Sequence, residues 1–276
     1  MKRIAKIILY TLALFFLLPQ LACKETGPGQ PSLDLTVFSC GKADCILLQF
    51  DGHNVLIDTG ENGDGDDIVK ELVARNIKKL DLMLLTHHDK DHIGGADTIL
   101  HNIPTDLVRM PNYASDSKQY GQLIEAIAAT ATPVSEMSTD EAFSIGSADF
   151  SVWTSTVPYN GKSDNEQSLI TKVLFDGKTL LFMGDAEEEW LKELCLGTKN
   201  LTCDVLKLPH HGVYDKNLAA LLALTLPDYV LITDSVKNPA EQRTMDILNT
   251  FESKVFQTKD GSIVLRIEGG TVSVNQ

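Results

Sequence analysis

Short apolar runs recur along the chain from Leu33 onward, punctuated by glycine, proline and acidic turns, and their period switches between two and about four. Alternation at 33–38, 45–50 and 55–58 predicts three strands, the last two joined at Asp51-Gly52, a dipeptide suited to a tight hairpin turn. Residues 59–65 form a glycine- and acid-rich loop without the regular spacing of an EF-hand, so it reads as a turn. Residues 66–76 place Ile68, Leu72 and Val73 on one helical face. Strand and helix then alternate: a buried strand at 82–85, a short helix at 96–101, a strand at 107–110 and a helix at 116–130. Strands at 142–145 and 150–153 flank Gly146-Ser147, and a polar loop covers 155–167. A hairpin follows at 169–175 and 179–183 around Asp176-Gly177, then an acidic helix at 186–194 with Trp190 inward. The chain continues through a strand at 205–208, a helix at 218–224 with a strand at 229–232, and a helix at 241–251 with a strand at 255–256. It closes on a hairpin of 262–267 and 271–274. Hairpins at both ends with strand–helix alternation between them predict an α/β domain of two packed sheets with helices outside, spanning 32–276. No repeat or internal linker interrupts it.

The densest chemistry lies where one of these strands ends, at Thr86-His87-His88-Asp89-Lys90-Asp91-His92-Ile93-Gly94-Gly95. Of seven histidines, five fall in two places: His87, His88 and His92 here, and His210-His211 after the strand at 205–208. Phe182-Met183-Gly184-Asp185 is a third strand end that delivers a carboxylate. A lone histidine on a polar loop is ordinarily a hydrogen-bonding group. Imidazoles and carboxylates delivered together by several strand ends are instead how α/β folds assemble a metal site. His53 and His101 read as surface or capping residues.

The formal charge is −14. Residues 1–22 hold Lys2, Arg3 and Lys6 and no acid, which leaves 21 bases against 38 acids in the remainder. An acidic surface argues against extended contact with nucleic acid or anionic lipid, while a metal-bearing site still accepts phosphate. Residues 1–22 read as an export signal, with a basic start and an apolar run from Ile7 to Leu18 too short for a stable membrane span. Leu21-Ala22-Cys23 resembles a bacterial lipobox, which makes Cys23 the lipidation candidate and residues 23–31 a tether; plain secretion is the second reading. A lipid anchor is then the only expected membrane contact, and the oligomeric state is left open. Cys40, Cys45, Cys195 and Cys203 remain as an even set, either paired as Cys40–Cys45 and Cys195–Cys203 or left as free thiols.

The motif at 86–95 resembles the His-x-His-x-Asp-His signature of the metallo-β-lactamase fold, with Asp89 in place of the second histidine. Val37-Phe38-Ser39-Cys40-Gly41-Lys42-Ala43-Asp44 resembles the opening motif of the hydrolase domain of the competence protein ComEC. Ile57-Asp58-Thr59-Gly60, Asn165-x-x-Ser168, Met183-Gly184-Asp185 and Pro209-His210-His211-Gly212 match its later motifs in order. The resemblance implies an αββα sandwich and a hydrolase with two divalent ions, zinc first and manganese as its rival. It implies His87 and Asp89 on one metal, Asp91 and His92 on the second, and Asp185 bridging both. Either His210 or His211 completes the second site, with His211 the first choice. Asp91, His88 and His210 are the candidate catalytic residues, and a hydroxide shared by the metals is the expected nucleophile. Asp44 and Asp58 are expected to support the ligands, and Asn165 and Ser168 to line the site where many relatives place a further histidine. Ser39, Cys40 and Ala43 depart from the opening motif, and Val236-Lys237-Asn238-Pro239 lacks a histidine usual in ComEC-like domains. The implied reaction is hydrolysis of a phosphodiester or phosphorylcholine-type ester of a small molecule or envelope polymer. The alternatives are a non-catalytic surface-binding lipoprotein on the same fold and a β-lactam or lactone hydrolase.

Overall fold

Because successive side chains of a strand point to opposite faces, a sheet with apolar residues on both faces can pack against another sheet on one side and helices on the other. The computed structural model, which describes residues 30–159, 161 and 163–276, is built this way. Pro31–Gln276 cluster as one unit. The expected export signal, Cys23 and tether residues 23–29 lie outside the described residues.

The first half runs β1 (Ser32–Val37), β2 (Ile46–Phe50), β3 (His53–Ile57), α1 (Gly65–Ala74), β4 (Leu82–Leu84), α2 (Lys90–Ile93), α3 (Ala96–Asn102), β5 (Val108–Pro111), α4 (Lys118–Thr130) and β6 (Val134–Met137). The second runs β7 (Glu141–Ile145), β8 (Ala148–Trp153), β9 (Ile170–Phe175), β10 (Lys178–Phe182), α5 (Glu188–Leu196), β11 (Val205–Lys207), α6 (Leu218–Thr225), β12 (Tyr229–Ile232), α7 (Gln242–Leu248), β13 (Lys254–Gln257), β14 (Ile263–Glu268) and β15 (Thr271–Asn275). One sheet has eight strands in the order β15-β14-β1-β2-β3-β4-β5-β6, and the other has seven, β13-β12-β11-β10-β9-β8-β7. Each is antiparallel on one side and parallel on the other, β3 to β6 in the first and β10 to β13 in the second.

The period-two pattern sorts the core. Leu33, Leu35, Ile46, Leu48, Val55 and Ile57 face Phe150, Val173, Phe182 and Val205 between the sheets. Their neighbours in sequence turn outward: Leu47, Leu56 and Met83 pack on Ile68 and Leu72 of α1 and on Ile99 of α3. In the same way Leu181, Met183 and Leu206 pack on Trp190 of α5 and Leu221 of α6. The expected two-sheet α/β sandwich is therefore the observed architecture, with every expected strand and helix present. β6 was not expected. Its sequence, Val-Ser-Glu-Met, alternates weakly because it is a short edge strand with only Met137 buried. The helix expected over 241–251 is shorter, Gln242–Leu248.

Of the two readings of the cysteines, the free-thiol one is observed: all four described cysteines are free, Cys45 and Cys203 buried. The Sγ of Cys40 lies against the carbonyls of Phe38 and Ala43, 3.6 and 3.5 Å away.

Phe150 is 1 % exposed, stacks on Phe143 at 5.2 Å and meets Phe50 of the opposite sheet at 6.3 Å between ring centroids. Phe150→Ala is expected to cost about 3–5 kcal/mol of unfolding free energy in chemical denaturation; a loss below about 1 kcal/mol would mean that the sheets close over the cavity.

Candidate metal centre

Parallel strands align their carboxyl ends, so residues just beyond β3, β4, β10, β11 and β12 converge on one edge of the sandwich. Asp58 follows β3, His87 comes shortly after β4, Asp185 after β10, His210 and His211 after β11, and Thr233 after β12. Asp44 lies just ahead of β2, whose first residue pairs with the last of β3, and so reaches the same edge.

The backbone there is held in unusual conformations. Asp58, His210 and His211 are left-handed at φ 57°, 47° and 53°, which is uncommon for residues with a Cβ and concentrates where geometry is imposed by function. Gly94 and Gly95 are required by close approach. A Cβ on Gly95 would sit 2.3 Å from the Thr59 carbonyl, and one on Gly94 2.4 Å from the Lys90 carbonyl.

His87, His92 and Asp185 form one group of potential ligands, and Asp91, His92 and His211 another; within each group one ligand atom per residue lies within 4.8 Å of the others. Asp185 sits between the imidazoles, with Oδ1 3.2 Å from His92 Nε2 and Oδ2 3.1 Å from His211 Nε2. Asp91 Oδ2 is 3.6 Å from His211 Nε2, and Asp89 Oδ2 is 3.6 Å from His87 Nε2. Although these atoms are close, His87 Nε2, His92 Nε2, His211 Nε2 and Asp185 Oδ1 are buried without a hydrogen-bond partner. Buried polar atoms left unpaired carry a large desolvation penalty. Imidazole nitrogens and carboxylate oxygens gathered around one point, with no proton well placed between them, fit divalent cations.

The far side of each ring is tied down. Asp58 Oδ2 lies 2.8 Å from His92 Nδ1, and the Asp58 carboxylate accepts from the Thr86 amide at 2.7 Å and the Thr86 hydroxyl at 2.8 Å. His211 Nδ1 lies 2.9 Å from Thr233 Oγ1 and 3.4 Å from Asp44 Oδ1. Such partners fix which ring nitrogen faces a metal. Ser168 Oγ accepts from the Asp185 amide at 3.1 Å and lies 3.4 Å from His87 Nδ1.

The two downstream histidines separate. His211 is buried in the cluster, whereas His210 is partly open to solvent, with Nδ1 3.0 Å from Glu187 Oε2 and Nε2 3.9 Å from Asp185 Oδ2. The structure therefore places His211 in the buried cluster and His210 at its rim. Asn165 donates to Glu187 at 3.2 Å, and its Oδ1 is buried without a hydrogen-bond partner. His88 is not brought to the cluster. It is fully buried between Tyr113 and Tyr120, ring centroids 4.3 and 4.6 Å away, with both nitrogens unpartnered. Burial, assisted by the neighbouring His87, pushes its imidazole down to about 3. Sequence reading also missed Lys207, Thr233, Thr86 and Glu187. Only Lys207 carried a signal, as a single charge in the apolar run Val205-Leu206-Lys207-Leu208.

Burial opposes charge on the clustered imidazoles, but the neighbouring carboxylates together outweigh it, Asp185 with Asp58 raising His92 well above the usual histidine value and Asp185 with Asp44 raising His211 above it. Burial likewise opposes charge on Asp185, yet His211 and His92 hold it well below the usual range. In metal-free protein, the stability from the raised histidines is fully present below the unfolded value of about 6.5. It is lost as pH rises through the raised folded values. A metal must displace those protons, so its affinity rises with pH. The gap in Tm between metal-loaded and chelated protein is expected to widen from about pH 6 to about pH 8, through the range above the unfolded histidine value; a gap that narrows would contradict this site.

The sequence match agrees with the geometry. The family model of the metallo-β-lactamase superfamily matches residues 39–233. The chain is 28% identical over 214 residues to ComE operon protein 3 of Bacillus subtilis (strain 168), covering 75% of this chain but 27% of that relative, so it spans little more than a quarter of the relative's length. In structure it is similar to the metallo-β-lactamase fold protein YhfI from Bacillus subtilis, with a TM-score of 0.55 and 13% identity over 89% of this chain and 100% of that one. It is also similar to a diphosphatase from the PhnP family, with a TM-score of 0.52 and 17% identity over 86% of this chain and 97% of that one. The chain belongs to the metallo-β-lactamase superfamily.

Proposed function

We propose that this protein is an exported, lipid-anchored phosphoesterase that binds two divalent ions, zinc in the first place and manganese as the alternative. The observation that carries the reading is the pair of overlapping ligand groups that share His92 and meet at Asp185. His87, Asp89 and Asp185 would hold the first ion, and Asp91, His92, His211 and Asp185 the second. When bound, such a pair supplies Lewis acidity and a water acidified toward neutral pKa. Carboxylate in place of imidazole at Asp89 gives the first position a harder donor set, which favours manganese more than an all-histidine site would.

The protein's own groups complete the chemistry. His210, with Nδ1 fixed by Glu187, is placed at the rim to move a proton at Nε2 toward a leaving oxygen. Glu187 is itself fixed by donors from Ser163 at 2.9 Å and Asn165 at 3.2 Å.

A phosphoester substrate is supported by the similarity to a protein described as a diphosphatase and by the hard carboxylates Asp89, Asp91 and Asp185 in the cluster. The formal charge of −14 disfavours long nucleic acids and favours a small-molecule or envelope-polymer ester of phosphodiester or phosphorylcholine type. A β-lactam or lactone hydrolase is less well supported, because Asp89 and the Asn165–Ser168 segment stand where imidazoles would be expected. A non-catalytic binding role is disfavoured by a nearly complete ligand set. Export rests on the basic and apolar opening of the chain and on Cys23. No helix among the described residues is long and apolar enough to cross a membrane.

Wild-type protein loaded with zinc or manganese is expected to turn over bis-p-nitrophenyl phosphate or p-nitrophenyl-phosphorylcholine. His210→Gln is expected to lower kcat by about 10²–10⁴-fold, the usual scale of general acid–base catalysis, while leaving metal content intact. Absence of turnover of either ester under both loadings would contradict the phosphoesterase reading. Cys23→Ser is expected to shift the protein from the membrane to the soluble fraction; an unchanged distribution would overturn the lipid anchor.

A further inference from the structure

The ligand cluster is backed by a fully buried charge that the proposed reaction does not use. Lys207 is 0 % exposed and ends β11. Val205, two residues earlier, belongs to the layer between the sheets, and Leu206 to the layer under the helices. Alternation therefore sends Lys207 into the space between the sheets, where its ammonium reaches Asp44 Oδ2 at 2.7 Å and donates to the Leu208 carbonyl at 3.0 Å. Asp44 belongs to the other half of the sandwich, in the segment between β1 and β2.

Asp44 is the junction through which this contact reaches the site. Its Oδ1 accepts from the Thr233 hydroxyl at 2.5 Å and lies 3.4 Å from His211 Nδ1. Its amide donates to the Asp91 carbonyl at 3.0 Å, and its carbonyl accepts from the Gly60 amide at 2.8 Å. One residue thus touches the turn carrying Asp91, the loop after Asp58 and the ring of His211. A carboxylate buried at 1 % exposure stays in place only if its charge is met. Lys207 is the one ammonium or guanidinium paired with it among the described residues.

We propose that Lys207 is a positioning residue for the second metal site: by anchoring the Asp44 carboxylate across the two sheets, it aligns His211 and Asp91 on one ion. The inference rests on the two-metal reading given above. Lys207 touches neither the ligand cluster nor a substrate, and its effect reaches the site entirely through Asp44. Removing the ammonium leaves a buried carboxylate without its closest ion-pair partner, free to turn away from His211 and Thr233. Removing both charges together leaves a neutral amide whose oxygen can still accept from the Thr233 hydroxyl.

The test is a titration of chelated full-length protein with Co²⁺ or Zn²⁺, following ligand-field absorption and metal stoichiometry, on wild type, Asp44→Asn, Lys207→Met and the double variant. Each single variant is expected to bind the second ion about 10- to 100-fold more weakly, the scale for loss of a group behind a metal ligand, with the first ion unaffected. The double variant is expected to regain most of that loss, which a merely space-filling lysine would not allow. Should Lys207→Met fail to fold, the recovery on adding it to Asp44→Asn carries the same test. A folded Lys207→Met that binds both ions as wild type does, or a folded double variant no better than Asp44→Asn, overturns the inference while leaving the metal reading intact. A wild type with no second site overturns the metal reading, and this inference with it.

Discussion

Asp185 is a buried carboxylate set between two buried imidazoles, and the architecture at this edge of the sandwich is arranged around that charge. Such a group is unfavourable away from water unless positive charge meets it. His92 and His211 are drawn toward their charged forms by it, and divalent ions would meet it better, because they would also engage the unpartnered nitrogens. This single demand explains why strand ends from both sheets stop at the same edge. It also explains why the backbone there accepts left-handed conformations and close glycine contacts that cost stability.

The support around the ligands divides between the two halves of the fold. Asp58 and Thr86, both at strand ends of the first sheet, hold His92. Asp44 from the first sheet, itself paired with Lys207 of the second, and Thr233 of the second sheet lie against His211. The second ligand group is therefore coupled to how the sheets sit on one another, and the first group depends more on the turn at 86–95. Two ions bound as proposed would differ in affinity on that ground, because Asp89, assigned to the first, has its side chain 45 % open to solvent.

Much of this was legible from residue order. The runs at 82–85, 179–183 and 205–208 mark strands by apolar continuity, and each is followed by a polar ligand-bearing turn, so a site at aligned strand ends could be inferred. β6 was invisible because an edge strand with one buried residue has almost no pattern. The choice between His210 and His211 was equally closed to sequence: adjacent residues in left-handed turns point to opposite sides, and only packing decides which is buried. His88 read as a candidate because it stands inside the motif, yet one residue of offset carries its ring into the tyrosines. Lys207 was hidden inside a strand, where its charge looked like an interruption of the core rather than a part of the site. The spacing of Cys195 and Cys203 suggested a bridge that packing does not form.

The measurement that tests the account most directly is the metal content of purified full-length protein by elemental analysis, after loading and removal of free ions. The account predicts about two divalent ions per chain, as a dinuclear hydrolase site requires. A chain that keeps none, while folded, would mean that the buried imidazoles and carboxylates around Asp185 are paired by protons alone, and would contradict the central claim.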